Sequence, residues 1–160
     1  MTNIRESVRH TLSPKTRDEL KKIVDRLIEE RGNNADLNDI DTSQVKDMSN
    51  LFAWSEFNGD ISEWDVSEVE DMGNMFYKSN FNGDISRWKV SKVNNMQSMF
   101  EKSDFNSDIS KWNVGKVKCM SFMFAESHFD GDISRWNVIG VNDMYAMFKK
   151  SEFNGDLSKW

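Results

Sequence analysis

From Val45 onward the chain is one 24-residue phrase, repeated without insertion or deletion. Val69, Met72, Met75, Phe76, Ser79, Phe81, Asn82, Asp84, Ile85, Ser86, Trp88 and Val90 each recur 24 positions later, as Val93, Met96, Met99, Phe100, Ser103, Phe105, Asn106, Asp108, Ile109, Ser110, Trp112 and Val114. A fixed period of this length marks a repeat array, in which each unit buries its apolar side only by stacking on its neighbours. The period also absorbs residues that would otherwise suggest a cofactor pocket. Phe52, Phe76, Phe100, Phe124 and Phe148 form one ladder, Phe57, Phe81, Phe105, Phe129 and Phe153 a second, and Trp64, Trp88, Trp112, Trp136 and Trp160 a third. They read as stacked core layers.

The period has two halves. In Val69, Met72, Met75 and Phe76 the apolar residues fall at i, i+3, i+6 and i+7, which predicts a short helix of two to three turns. After Ser79, Asn82-Gly83 signals a turn, and Asp84-Ile85-Ser86 sets one apolar residue between two polar ones, as a short half-buried strand does. The expected fold is therefore an α/β repeat solenoid with one short parallel strand and one short helix per 24-residue coil. Strands stack about 4.8 Å apart and helices about 8–10 Å apart, so such a coil should curve with its strands on the concave side.

The first residues break the pattern. Leu20, Ile23, Val24, Leu27 and Ile28 have amphipathic helical spacing, with Thr16 and Glu19 placed for a capping box, Ser13-Pro14 as another start and Gly32 as a stop. Asn34-Ala35-Asp36-Leu37 aligns with Asn58-Gly59-Asp60-Ile61. The expected organisation is a tail at 1–12, a capping helix at 13–33, a half-repeat at 34–44 and five repeats over 45–160, the last incomplete, all in one domain.

Composition narrows the function. A formal charge of −6 argues against a dedicated nucleic-acid binder. Within it the charge is uneven: residues 45–68 hold Lys46 against Asp47, Glu56, Asp60, Glu63, Asp65 and Glu68. The one cysteine, Cys119, excludes an internal disulfide framework. The start, Met1-Thr2-Asn3-Ile4-Arg5-Glu6, has no signal-peptide stretch. Nothing along the chain reads as a membrane span or a lipidation motif, so the expected location is cytoplasmic, with a surface role only if a leader has been removed.

The consensus Val-x-x-Met-x-x-Met-Phe-x-x-Ser-x-Phe-Asn-Gly-Asp-Ile-Ser-x-Trp-x-Val resembles the repeat of the BspA-like leucine-rich-repeat group of bacterial surface proteins, which includes a large domain family without assigned function. The lead-in Pro14-Lys15-Thr16-x-x-Glu19-Leu20 resembles the helix that precedes those repeats, so the likeness covers residues 14–160. It implies a leucine-rich-repeat-like right-handed horseshoe, and protein or host-surface binding in exported relatives. It carries no catalytic residues and no cofactor.

Four candidate features remain. Asp36, Asp60, Asp84, Asp108, Asp132 and Asp156 form a ladder that suits either calcium or the capping of each unit's own turn. Arg87, Lys111, Arg135 and Lys159 form a basic ladder: a docking stripe for an acidic partner, or solvated counter-charge for the Asp ladder. Trp54, Tyr77, Phe122 and Tyr145 stand outside the repeat core, in two neighbouring pairs, as binding hot spots or as packing over the repeat edges. His128 lies in a column between Asp104 and Glu152, where a salt bridge outweighs a metal site. No Ser-His-Asp set, phosphate loop or CxxC is present. The expected function is a non-catalytic protein-interaction module with a protein partner, no metal and no cofactor. The alternatives are an adhesin-like surface protein or a self-assembling one. Phe148, Phe153, Leu157 and Trp160 form an apolar end that would join two copies through a C-terminal homodimer.

Overall fold

The computed structural model describes residues 11–160. All but the last two residues of the expected tail, and His10 with them, lie outside the described residues. Thr11 and Leu12 pair with the half-repeat: Leu12 bridges Ile40 in parallel, and the Asp41 N–H donates to the Leu12 carbonyl at 2.7 Å.

Helix α1 spans Arg17–Arg31. Its N-cap is Thr16, whose hydroxyl accepts the Glu19 N–H at 3.2 Å, while the Glu19 carboxylate reaches back to the Lys15 N–H at 2.8 Å. Gly32, at φ 88°, ends the helix and donates its N–H to the Ile28 carbonyl. Leu20, Val24 and Leu27 are buried against the repeats. Arg17 Nε also donates to the Ser49 carbonyl at 2.6 Å. In the next repeat the equivalent carbonyl, of Gly73, accepts a backbone N–H from the unit before it. Arg17 thus supplies from α1 the donor that a preceding repeat would supply.

The repeats themselves are built from turns. Successive residues of the Met-Phe half send their N–H groups in two alternating directions. Met48, Asn50, Phe52 and Trp54 donate sideways to the carbonyls of Asp71, Gly73, Met75 and Tyr77 in the next repeat, at 2.8–2.9 Å. Leu51, Ala53 and Ser55 donate back three residues to Met48, Asn50 and Phe52. The second repeat does the same, Met72, Asn74, Phe76 and Lys78 pairing with Asn95, Gln97, Met99 and Glu101. Of the three overlapping turns, the first and the last carry a residue at positive φ, as the third residue of a type II turn does. Two positions per repeat provide it: Asn50, Asn74, Ser98, Phe122 and Ala146, then Trp54, Lys78, Lys102, Glu126 and Lys150, all at φ 50–62°.

This overturns the expected architecture of one strand and one helix per coil, the α/β solenoid and leucine-rich-repeat-like horseshoe. Among the described residues α1 is the one α-helix, and β structure is confined to isolated parallel bridges without a sheet. The Val-x-x-Met-x-x-Met-Phe spacing was a fair helical signal, but an α-helix sends every interior N–H to its own i−4 carbonyl. Here alternate N–H groups are committed to the neighbouring repeat, and residues at positive φ interrupt the run. The expected strand at Asp84-Ile85-Ser86 is absent for a different reason. Asp84 Oδ1 accepts the Ser86 N–H at 2.9 Å, which folds the chain into a turn at Ser86-Arg87. Besides Leu12–Ile40 and a single bridge in the Asp84 column, Asp36–Asp60, the bridges run along Asp47, Asp71, Asn95, Cys119 and Asp143.

Side chains complete the stacking where the backbone does not. Asn58 Oδ1 accepts the Asn82 N–H, Asn82 Oδ1 that of Asn106, Asn106 Oδ1 that of Asp130, and Asp130 Oδ1 that of Asn154, all at 2.7–2.9 Å. Each indole of the Trp ladder donates Nε1–H to a carbonyl of the preceding unit: Trp64 to Leu37, Trp88 to Ile61, Trp112 to Ile85, Trp136 to Ile109 and Trp160 to Ile133. The Phe rings repeat in register, Phe52 and Phe76 at 5.5 Å and 1°, Phe57 and Phe81 at 6.2 Å and 2°. The Val, Met, Phe, Ile and Trp columns are buried through Trp136. No buried side-chain nitrogen or oxygen among the described residues lacks a hydrogen bond.

Candidate interaction surface

The alternating backbone pattern decides which side chains meet on the surface. Because residue i donates its N–H to the carbonyl of residue i+23, large side chains at those two positions are brought together. Trp54 and Tyr77 are such a pair, joined by N–H···O at 2.8 Å, and Phe122 and Tyr145 are another, at 2.9 Å. Their rings have almost the same geometry: centroids 5.5 and 5.3 Å apart, both at 73°. Trp54 is 67% exposed and Tyr145 71%, while Tyr77 and Phe122 are half-buried beneath them.

Trp54 and Phe122 also occupy the two positive-φ positions of the turn run. A bulky side chain in the left-handed region costs about 1–2 kcal/mol. Asn fills the Phe122 column in the first two repeats, and charged residues follow Trp54 in its own column. The aromatics therefore sit where turn formation alone favours other residues. Lys78, next in the Trp54 column, lays its ammonium over the Trp54 ring at 3.7 Å and lies 5.6 Å from the Tyr77 centroid.

The basic ladder is solvent-facing throughout. Arg87 Nη1 lies 3.4 Å from Glu63 Oε1, and Lys111, Arg135 and Lys159 are exposed. The Asp ladder beside it is occupied with its own turns. Asp60, Asp84, Asp108, Asp132 and Asp156 each accept the N–H of the Ser two residues on, at 2.8–2.9 Å. These bonds hold all five carboxyls below their ordinary pKa, with the backbone N–H and hydroxyl of Ser62, Ser86, Ser110, Ser134 and Ser158 as the leading causes. The adjacent Arg and Lys contribute less. Among the described residues no group of three or more His, Cys, Asp or Glu is placed to hold a metal ion. His128 Nδ1 lies 3.0 Å from Glu152 and Nε2 3.9 Å from Asp104.

Phe148, Phe153, Leu157 and Trp160 are half-buried against the fourth repeat, with Phe148 and Phe153 stacked at 4.5 Å. Three surface features escaped the sequence reading. Lys78 follows Trp54 by one full period, and its place over the ring was hidden because that contact depends on how the two stacked side chains lie. Asp143 beside Tyr145 is a local contact, its carboxylate accepting the N–H two residues on. Ile139, 93% exposed, was visible in principle, since its column otherwise reads Ser43, Ser67, Ser91 and Gly115.

A chain of turn-built repeats behind one capping helix defines a repeat class, and the comparisons give the family. The chain belongs to the family described as Mycoplasma protein of unknown function, DUF285, which matches residues 19–126 and 101–160. No curated protein and no solved structure matches the chain. No helix among the described residues is long and apolar enough to cross a membrane.

Proposed function

We propose that this protein is a non-catalytic interaction module that binds a protein partner through the turn face carrying Trp54, Tyr77, Phe122 and Tyr145. The observation that supports this reading most directly is the placement of Trp54 and Phe122. Two large aromatics occupy positive-φ positions, at a cost to folding, and each is paired with a second ring at the surface. Aromatic residues held rigidly on a surface are the usual centres of protein interfaces. The finer kinship, with BspA-like surface proteins, is part of this proposal and rests on the repeat consensus. It would place the partner outside the cell if the protein is exported and in the cytoplasm if it is not.

The test compares two double variants with the parent. Trp54→Ser with Tyr77→Ser, and Phe122→Ser with Tyr145→Ser, should each leave the melting temperature within a few degrees of the parent. Each should weaken capture of the partner retained by the parent at least tenfold. Undiminished capture by both variants would sink the reading.

A second reading, self-association through residues 141–160, is favoured by one observation. Phe148, Phe153, Leu157 and Trp160 are half-buried, whereas Phe124, Phe129, Ile133 and Trp136 of the preceding repeat are buried. Light scattering on this 18.7 kDa chain separates the two states. A dimer supports self-association and a monomer removes it.

A further inference from the structure

The two aromatic pairs differ in which ring is exposed, Trp54 in one and Tyr145 in the other, and in what lies over them. The Trp54–Tyr77 pair carries an ammonium from the chain itself, that of Lys78. The Phe122–Tyr145 pair has the same 73° ring geometry, at 5.3 Å, and no cation of the described residues lies over it. The first pair therefore shows what such a notch takes. Beside the second stands Asp143, whose Oδ1 accepts the Tyr145 N–H at 2.8 Å. Its Oδ2 has only the Cys119 thiol, at 3.9 Å, and no cation among the described residues pairs with it.

We infer that Phe122, Tyr145 and Asp143 form a receptor for a cationic side chain, an arginine or lysine, presented by a protein partner. The inference rests on the interaction reading above and names the chemistry of the partner at that face. The ring faces supply the negative end of their quadrupole, best used by a cation held within about 6 Å of the centroid. Asp143 supplies a full charge beside Tyr145, whose backbone N–H it accepts, so that a guanidinium against the ring has a carboxylate two residues away along the chain. Tyr145 is fixed for this role from two sides: its N–H is held by Asp143 and its carbonyl by the Phe122 N–H. The formal charge of −6 favours a basic partner in the same sense. Lys78 fills the equivalent place in the first pair, which closes that pair to an outside cation.

The experiment is a titration of the isotopically labelled protein, followed by NMR at the ring and carboxylate signals. The probe is the capped peptide acetyl-Gly-Arg-Gly-amide, with its citrulline counterpart as the uncharged control. The arginine peptide should shift the Phe122, Tyr145 and Asp143 signals along one saturable curve. The citrulline peptide should bind at least about threefold more weakly, the ratio expected of a cation on an exposed ring. Asp143→Asn should weaken the arginine peptide by a similar factor, and Tyr145→Ala should abolish the response. Lys78→Gln should open a second saturable site, read at Trp54 and Tyr77.

Equal binding of both peptides, no saturation in the millimolar range, or no second site in Lys78→Gln overturns the inference. Binding to phosphatidylcholine vesicles that the arginine peptide displaces would assign the notch to a lipid headgroup and also overturns it. Partner capture lost with the aromatic variants, but no response to the arginine peptide, rejects this inference and keeps the interaction reading. A response to the peptide, with capture indifferent to the aromatics, rejects the interaction reading instead.

Discussion

At the scale of single residues, the Trp ladder separates ring packing from hydrogen bonding. Trp112 is 4% exposed, and its indole donates to the Ile85 carbonyl at 3.1 Å. Trp112→Ala should cost about 3–5 kcal/mol, since it opens a cavity within a continuous stack. Trp112→Phe keeps much of the ring but leaves the buried Ile85 carbonyl without its donor, which should cost about 1–3 kcal/mol. Lys111→Ala next to it, exposed, should cost less than about 0.5 kcal/mol. Urea unfolding of the three variants checks the order. Equal midpoints for Trp112→Ala and Lys111→Ala would be incompatible with the stacked ladder. The identity of Trp112 as core was legible in its recurrence every 24 residues, but the indole bond to the preceding repeat was not, because it depends on the stacking register.

At the scale of elements, α1 does two jobs at the start of the array. It covers the apolar side of the first units with Leu20, Val24 and Leu27, and through Arg17 it satisfies the Ser49 carbonyl. Arg17→Ala should destabilise the protein by about 1–2 kcal/mol, the cost of a part-buried carbonyl losing its donor. Thr16→Ala removes a cap from the same helix and should cost about 1 kcal/mol. Hydrogen exchange distinguishes the two. Arg17→Ala should speed exchange around Ser49 and Asn50 as well as in α1, whereas Thr16→Ala should act on the first turn of α1 alone. Identical exchange patterns would mean that Arg17 acts only within its helix.

For the whole molecule, the five lowered Asp carboxyls make stability depend on pH with a definite sign. Their ordinary value lies near 3.8 and their folded values lie below it. The unfolded chain therefore binds more protons as the solution is acidified. The stabilisation is fully present above the ordinary carboxylate range and is lost as pH falls through the folded values. Melting temperature should accordingly be flat near neutrality and fall on the acid side, below about pH 4. Asn keeps an oxygen to accept the Ser N–H but does not titrate there. Replacing Asp84, Asp108 and Asp132 by Asn should therefore shallow the acid limb while changing the neutral melting temperature little. An unchanged acid limb would show that other carboxyls dominate it.

What the sequence by itself determined is periodic and local. Repetition at 24 residues identified the buried columns, since the same side chain in every unit meets its own copy in the next. Local spacing marked Thr16, Glu19 and Gly32 as helix ends, because capping is settled within four residues. The four aromatics outside the repeat core, Trp54, Tyr77, Phe122 and Tyr145, stood out because they interrupt columns of other residues. What only the tertiary structure decided is where the backbone hydrogen bonds go. The Met-Phe half of each repeat has the apolar spacing of a short helix, yet half of its N–H groups bond across repeats, and that choice replaces helix by turns. The Asp-Ile-Ser half has the look of a strand, yet the Asp carboxylate takes the Ser N–H and makes a turn. The same sideways bonding sets residue i against residue i+23, which is why Tyr77 lies against Trp54 and why Tyr145 lies against Phe122. No local rule contains that offset, because it is a property of two stacked repeats.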